Sequence, residues 1–210
     1  MLENASPQID QAQTAIYPNI QKNKLAIRKE MRRRRKQLSF FQQQHAARKL
    51  SVLLKKQRAL KKAMNIGLYF PCDGEISPLY YMQQHPRQHF FLPVIMHRVS
   101  KKIAFARFSS IKQLQNNYLN IPEPRKNTSK VSVQSLDVLL IPLTAFDVDG
   151  HRIGMGGGFY DRLLSHRRLK VRAPRYIGLS HSCQQVDRIE TDAWDIPMSA
   201  IATDQKLFAI

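Results

Sequence analysis

A layered α/β fold, with a mostly parallel sheet flanked by helices in a Rossmann-like three-layer arrangement, is what this sequence predicts. Two observations lead there. Strand-like runs at residues 65–70, 89–94, 102–108, 137–142 and 176–180 are separated by helix-like stretches and loops. Two of these runs, Ile66-Gly67-Leu68-Tyr69-Phe70 and Val138-Leu139-Leu140-Ile141, are nearly all apolar, as strands covered on both faces are. With 210 residues the chain is long enough for one domain with a sizeable core.

The elements follow in order. Residues 1–21 are polar and without period, so a disordered head is expected there, followed by a single α/β catalytic domain over 22–210. Residues 22–38 read as a basic helix with Leu25, Ile27, Met31 and Leu38 at its apolar positions. Ser39-Phe40-Phe41-Gln42 has the form of a capping box, which starts a second helix running to about residue 62. Its inner stripe is Ala46, Leu50, Leu53, Leu54 and Ala59. After the first strand, Ser77-Pro78 supplies an N-cap and a proline at the first helical position. Residues 116–130, with Pro122 and Pro124, read as a loop. No internal repeat is visible.

Charge is the strongest bias in the composition. Thirty-four Lys and Arg against 15 Asp and Glu give a formal net charge of +19. Such an excess attracts nucleic acid, anionic lipid or a polyanionic small substrate without choosing among them. The run Arg32-Arg33-Arg34-Arg35-Lys36 is either a solvated helix face or a nucleic-acid contact. No zinc finger, RRM signature or aromatic-interleaved basic motif accompanies it, so an obligate nucleic-acid partner is not expected. Lys24 and Arg28 are i and i+4, project from one helix face and could grip a triphosphate together. Cys72 and Cys183 lie far apart with no zinc-like spacing, which fits a reducing compartment. The first ten residues lack a secretory signal, and no apolar run approaches the ~20 residues a spanning helix needs. The expectation is a cytoplasmic monomer with no membrane association.

The most specific stretch is Gly154-Met155-Gly156-Gly157-Gly158-Phe159-Tyr160-Asp161-Arg162, at a loop end where a helix from 159 to about 166 begins. Its glycines free the backbone to bring several N–H groups to one anion, most naturally a phosphate. A P-loop would end in Gly-Lys-Ser/Thr, and a dinucleotide fingerprint or kinase loop would need Gly where Phe159 stands. A flexible turn without a ligand is the alternative. Arg152, two residues upstream, could pair with a phosphate oxygen, or be a surface arginine. Asp161 could hold a magnesium ion bridging phosphates, or simply favour a helix start. Asp192 and Asp195 form a late acidic pair that alone would pass as turn residues. Glu75, in the loop after the first strand, sits where open α/β sheets bind ligands and could accept hydrogen bonds from ring N–H or amino groups; a solvated turn carboxylate is the other reading. His85 and His89 have helical metal spacing, but Pro86 breaks it.

These residues resemble the 5-formyltetrahydrofolate cyclo-ligase (5,10-methenyltetrahydrofolate synthetase) family. Phe146-Asp147-x-x-Gly150-x-Arg152-Ile153-Gly154-x-Gly156-Gly157-Gly158-Phe159-Tyr160-Asp161-Arg162 is close to the family's FDxxGxRLGxGGGYYDR. Lys24-x-x-x-Arg28, Glu75-Ile76, Ile121-Pro122-Glu123-Pro124 and Asp195-Ile196-Pro197 support it, over about residues 22–204. The resemblance implies a ligase of one-carbon metabolism that binds ATP and a reduced folate and requires Mg2+. It would convert 5-formyltetrahydrofolate to 5,10-methenyltetrahydrofolate through a phosphorylated formyl group. By position, Lys24 and Arg28 would contact ATP phosphates. Arg152, Ile153, Gly154, Met155, Gly156, Gly157, Gly158, Phe159 and Tyr160 would cradle the nucleotide, with Arg152, Gly156, Gly157 and Tyr160 at the transferred phosphoryl. Phe70 and Glu75 would hold the pterin, and Asp161 and Asp195 the metal. This sequence departs at Phe159, where Tyr is usual, and at Met155 and Gly157, where some relatives carry a basic residue. Leu143 replaces a frequent Gly, and Ser199 a common acid.

Overall fold

The computed structural model describes residues 11–165, 173–191 and 195–210. Helix α1 spans Gln11–Lys36 and so begins eleven residues before the expected start of the basic helix; residues 1–10 lie outside the described residues. Ser39 caps α2 (Phe40–Lys56) with the reciprocal Ser39–Gln42 box that the sequence spells. The helix expected to run to residue 62 breaks at Gln57, whose backbone is extended at φ −68° and ψ 119°. A short α3 (Arg58–Lys62) follows and buries Leu60 completely.

Strand β1 (Asn65–Gly67) is shorter than its apolar run, although Leu68 N still donates to Phe91 O at 2.9 Å. Helix α4 (Leu79–Gln83) starts one residue later than proposed, with Ser77 Oγ accepting from Leu79 N at 3.3 Å. Next come β2 (His89–His97) and β3 (Lys102–Phe108), which form an antiparallel hairpin. The proline-bearing stretch expected to be a loop holds β5 (Pro122–Pro124), paired with β4 (Leu114–Asn116), and ends at β6 (Lys130–Val131), paired with β3. Prolines are tolerated in β5 because its sheet has two strands and each strand is an edge. The remaining elements are β7 (Val138–Pro142), β8 (Ala145–Phe146), β9 (Arg152–Ile153), α5 (Phe159–Ser165), β10 (Arg175–Leu179), β11 (Ala200–Ala202) and β12 (Leu207–Ala209). His166, the expected end of α5, lies outside the described residues.

The main sheet has eight strands in the order β12-β11-β10-β7-β1-β2-β3-β6. The five central strands from β11 to β2 are parallel, and antiparallel strands close both sides. Period-two alternation divides the core. Val138, Leu140, Ile177, Leu179, Ala200 and Ala202 join α2, α3 and α4 on one face. Leu139, Ile141, Tyr176 and Ile201 join Leu164 of α5 on the other. This is the three-layer α/β arrangement expected, and both-face burial explains why these strands read as continuous apolar runs.

The topology also has a switch point of the kind at which open α/β sheets bind ligands. From β1 the chain moves to β2 on one side and later returns through β7 on the other. The loops leaving β1 and β7 therefore diverge at a switch point and open a crevice at the carboxyl edge of the sheet. Glu75 is in the first of these loops, and the second leads into the glycine segment.

Candidate active site

Four pieces of chain meet at the crevice: α1, the loop after β1, the stretch from β8 through α5, and the segment around Asp195. The third is anchored by Asp147, which is fully buried. Its Oδ1 accepts from the amides of Asp149 and His151, and its Oδ2 from Ile189 N and His151 Nδ1. Asp147, Asp149 and His151 form the one group of three such side chains, among the described residues, close enough to suggest a metal. The buried carboxylate is already saturated by local donors, so its work is to shape the β8–β9 turn.

That turn delivers Arg152 and the glycines. Gly156 and Gly158 have φ of +95° and +71°, a region that favours glycine strongly. A Cβ on Gly158 would also lie 2.9 Å from the Lys101 ammonium, so the missing side chain lets that cation approach the main chain. Arg152 is almost buried: Nη1 donates to Ile196 O at 2.8 Å and Nη2 pairs with Asp161. Burial presses its pKa downward.

The first helix reaches the same place. Arg28 Nε donates to Gly154 O at 2.9 Å, and Lys24 Nζ lies 3.0 Å from Asp195 Oδ2. Arg152, Asp161, Asp195 and Gly158 line one cavity of about 300 Å³, together with Lys101 and Arg162. The structure therefore brings Lys24, Arg28, Arg152, Asp161, Asp195 and the glycine segment together. Asp192, the other acid of the late pair, lies outside the described residues.

Glu75 is not a solvated turn residue; it is 8% exposed. Its Oε2 accepts from Cys72 N at 3.1 Å and faces the Cys72 thiol at 3.6 Å. Burial raises its pKa, opposed by the Cys72 amide and the Arg35 guanidinium. Tyr160 on α5 is pushed upward by burial and by the nearby Glu75 and Cys72, so the helix that follows the glycines also borders the Glu75 loop. Phe70 packs half-buried against the first core cluster, beside that loop.

Several participants were not legible in the sequence. The basic run of α1 is divided in use. Arg33 and Arg34 pair with Glu30 at the surface, whereas Arg32, Arg35 and Lys36 all reach Asp73, at 2.7, 2.8 and 2.7 Å. Arg35 is fully buried, whereas Arg32 and Lys36 hold the same carboxylate with 44% and 56% of their side chains exposed, as on a solvated face. Their i, i+3, i+4 spacing was the available signal. Lys101, at the β2–β3 turn, and His181, buried with Nε2 3.2 Å from Gly74 O, carried no sequence pattern.

Comparisons with known proteins show the family and the fold. Residues 20–204 match the model of the 5-formyltetrahydrofolate cyclo-ligase family. The chain is 37% identical over 175 residues to the 5-formyltetrahydrofolate cyclo-ligase of Haemophilus influenzae, covering 82% of this chain and 92% of that protein. It is 32% identical over 181 residues to the Escherichia coli K12 protein of the same name, covering 85% and 98%. Among solved structures, 5,10-methenyltetrahydrofolate synthetase of Aquifex aeolicus superposes with a TM-score of 0.76 at 28% identity, over 89% of this chain and 92% of that one.

Proposed function

The chain belongs to the 5-formyltetrahydrofolate cyclo-ligase family, and from that premise we propose that it closes 5-formyltetrahydrofolate to 5,10-methenyltetrahydrofolate with ATP consumed in the crevice just described. The observation that carries this reading is the convergence of Lys24, Arg28, Arg152 and the glycines, with buried Glu75 near Tyr160 of the helix that follows them.

An N-formyl oxygen is a poor leaving group, which is why the reaction needs a phosphoryl donor. The formyl oxygen attacks the γ-phosphorus and ADP departs. N10 then adds to the activated formyl carbon, the C–O bond breaks with release of phosphate, and the N10 proton is lost. Such chemistry asks for alignment and charge neutralisation more than for a protein nucleophile. Backbone N–H groups of residues 156–158 and the Arg152 guanidinium supply the neutralisation. Glu75 orients the pterin by accepting from its ring and amino N–H groups, with Phe70 against its face.

Asp161 and Asp195 are hard oxygen donors lining one cavity, a donor set that suits a magnesium ion. Each carboxylate pairs with a side-chain cation here, Arg152 or Lys24, a place that a divalent ion could take over. When bound, Mg2+ would neutralise phosphate oxygens and fix their orientation.

The direct test is spectrophotometric. Protein, Mg-ATP and 5-formyltetrahydrofolate are mixed, and the methenyl absorbance should grow with one ADP formed per turnover. Binding of both ligands without product would demote the chain to a non-catalytic relative.

A further inference from the structure

The reaction does not explain why three cations of α1 converge on Asp73. Asp73 and Gly74 are the central residues of a tight turn closed by Glu75 N donating to Cys72 O at 2.9 Å. Both are left-handed, with φ of +49° and +77°. Asp-Gly is a pair favoured by turns whose two central residues are left-handed, so the turn is locally satisfied and the cations around it decide where it sits. Its holders are Arg32 Nε and Arg35 Nη2 on Oδ2, Lys36 Nζ on Oδ1, and Arg35 Nε on the Asp73 carbonyl at 2.8 Å. The turn ends at Glu75, whose carboxylate folds back onto the Cys72 amide.

Arg35 is the central member. Its side chain is fully buried, an uncommon state for arginine. Nη2 also donates to Met155 Sδ at 3.2 Å, so one guanidinium touches both the Glu75 loop and the glycine segment. Nη1 has no hydrogen-bond partner among the described residues. A merely mechanical staple would not need a buried charge with a donor unmatched. A charge set beside Glu75 does something more, because it favours the carboxylate against burial. Among the described residues, Cys72, Asp73, Tyr69 and Tyr160 also interact with Glu75, and none of these four is cationic.

We propose that Arg35, flanked by Arg32 and Lys36, is a positioning residue for the substrate: it clamps the turn at Asp73 and Gly74 and so sets where the Glu75 carboxylate meets the folate. This rests on the assignment of Glu75 to the folate side. The clamp makes the substrate loop part of α1, the helix that also carries Lys24 and Arg28. Its effect should fall on folate rather than on nucleotide.

Asp73→Asn keeps the side-chain volume and tolerates the left-handed turn while removing the charge on which the cations converge. Steady-state kinetics of the full chain, with folate and Mg-ATP varied separately, should show the KM for folate raised about tenfold and the KM for ATP held within about twofold. Arg32→Gln, at a side chain 44% exposed, should shift the folate KM the same way by about threefold. Should Asp73→Asn lose its fold, read from its melting curve, Arg32→Gln decides. Folate KM unchanged in the deciding variant, or folate and ATP KM rising together, overturns the clamp. Glu75→Gln is measured alongside. If it raises the folate KM while the clamp variants do not, the clamp alone fails; if it too leaves the folate KM unchanged, the substrate assignment of the loop fails with it.

Discussion

Lys24 Nζ and Asp195 Oδ2 are 3.0 Å apart although 171 residues separate them in the chain. The pair joins α1 to the segment before β11 across the crevice, and both side chains are largely withdrawn from solvent. If Lys24 serves the nucleotide and Asp195 the metal, as proposed, an ion pair so placed should make the two behave as one unit. Lys24→Met and Asp195→Asn are each expected to lower kcat/KM for ATP about tenfold or more, with the double variant much less impaired than the product of the two. Multiplicative effects in the cycle would separate the residues.

Arg152 carries the strongest expectation. Arg152→Ala should reduce kcat at least about 100-fold, the scale seen when one preorganised donor to a developing oxyanion is lost. Asp161 is 62% exposed at its side chain, so it is not stranded in the interior by the change and the melting temperature should hold within a few degrees. Single-turnover rates beside a thermal melt make the check.

The glycine segment can be probed one methyl at a time. Gly158→Ala forces alanine to φ +71° and drives its Cβ against Lys101, which should cost about 1–2 kcal/mol and weaken ATP binding. Gly154→Ala is the control for stability, since a Cβ there meets nothing within 4 Å. Urea unfolding with calorimetric ATP titration compares the two; equal losses of stability would contradict the backbone argument.

His181 is buried, and burial lowers its pKa from the ordinary value near 6.5. Its contribution to stability is therefore complete above that value and is lost as pH falls, because the unfolded chain binds the proton first. Asp73 behaves in the same sense lower on the scale: its cations hold its pKa far below the usual 3.8, so acid below about pH 4 removes its contribution. Unfolding free energy between pH 7 and 5 should fall in the wild type and fall less in His181→Gln. Identical slopes would remove His181 from the pH response.

The sequence carried the layers of the fold but not all its edges. Apolar runs such as residues 138–141 mark strands covered on both faces, and their alternation between two cores is a property of any such strand. The capping box at Ser39 is local chemistry and appears where it was written. Pairings such as β3 with β6 depend on partners distant in sequence, so two-residue strands left no periodic trace. The glycine segment was legible because its backbone demands are unusual. The convergence of Arg32, Arg35 and Lys36 on Asp73 was not, since a helix face does not announce which loop will cross it. Burial of Glu75 was equally hidden, because it depends on α1 and α5 closing over a turn of ordinary composition.

The central claim is that the reacting end of ATP lies against the bare main chain of residues 156–158. A crystal structure of the protein with Mg-ADP and 5-formyltetrahydrofolate tests it most directly. The β-phosphate should lie within hydrogen-bonding distance of those backbone N–H groups and Arg152, with the pterin at Glu75. Nucleotide bound elsewhere, with the amides of residues 156–158 covered by neighbouring side chains, would contradict it.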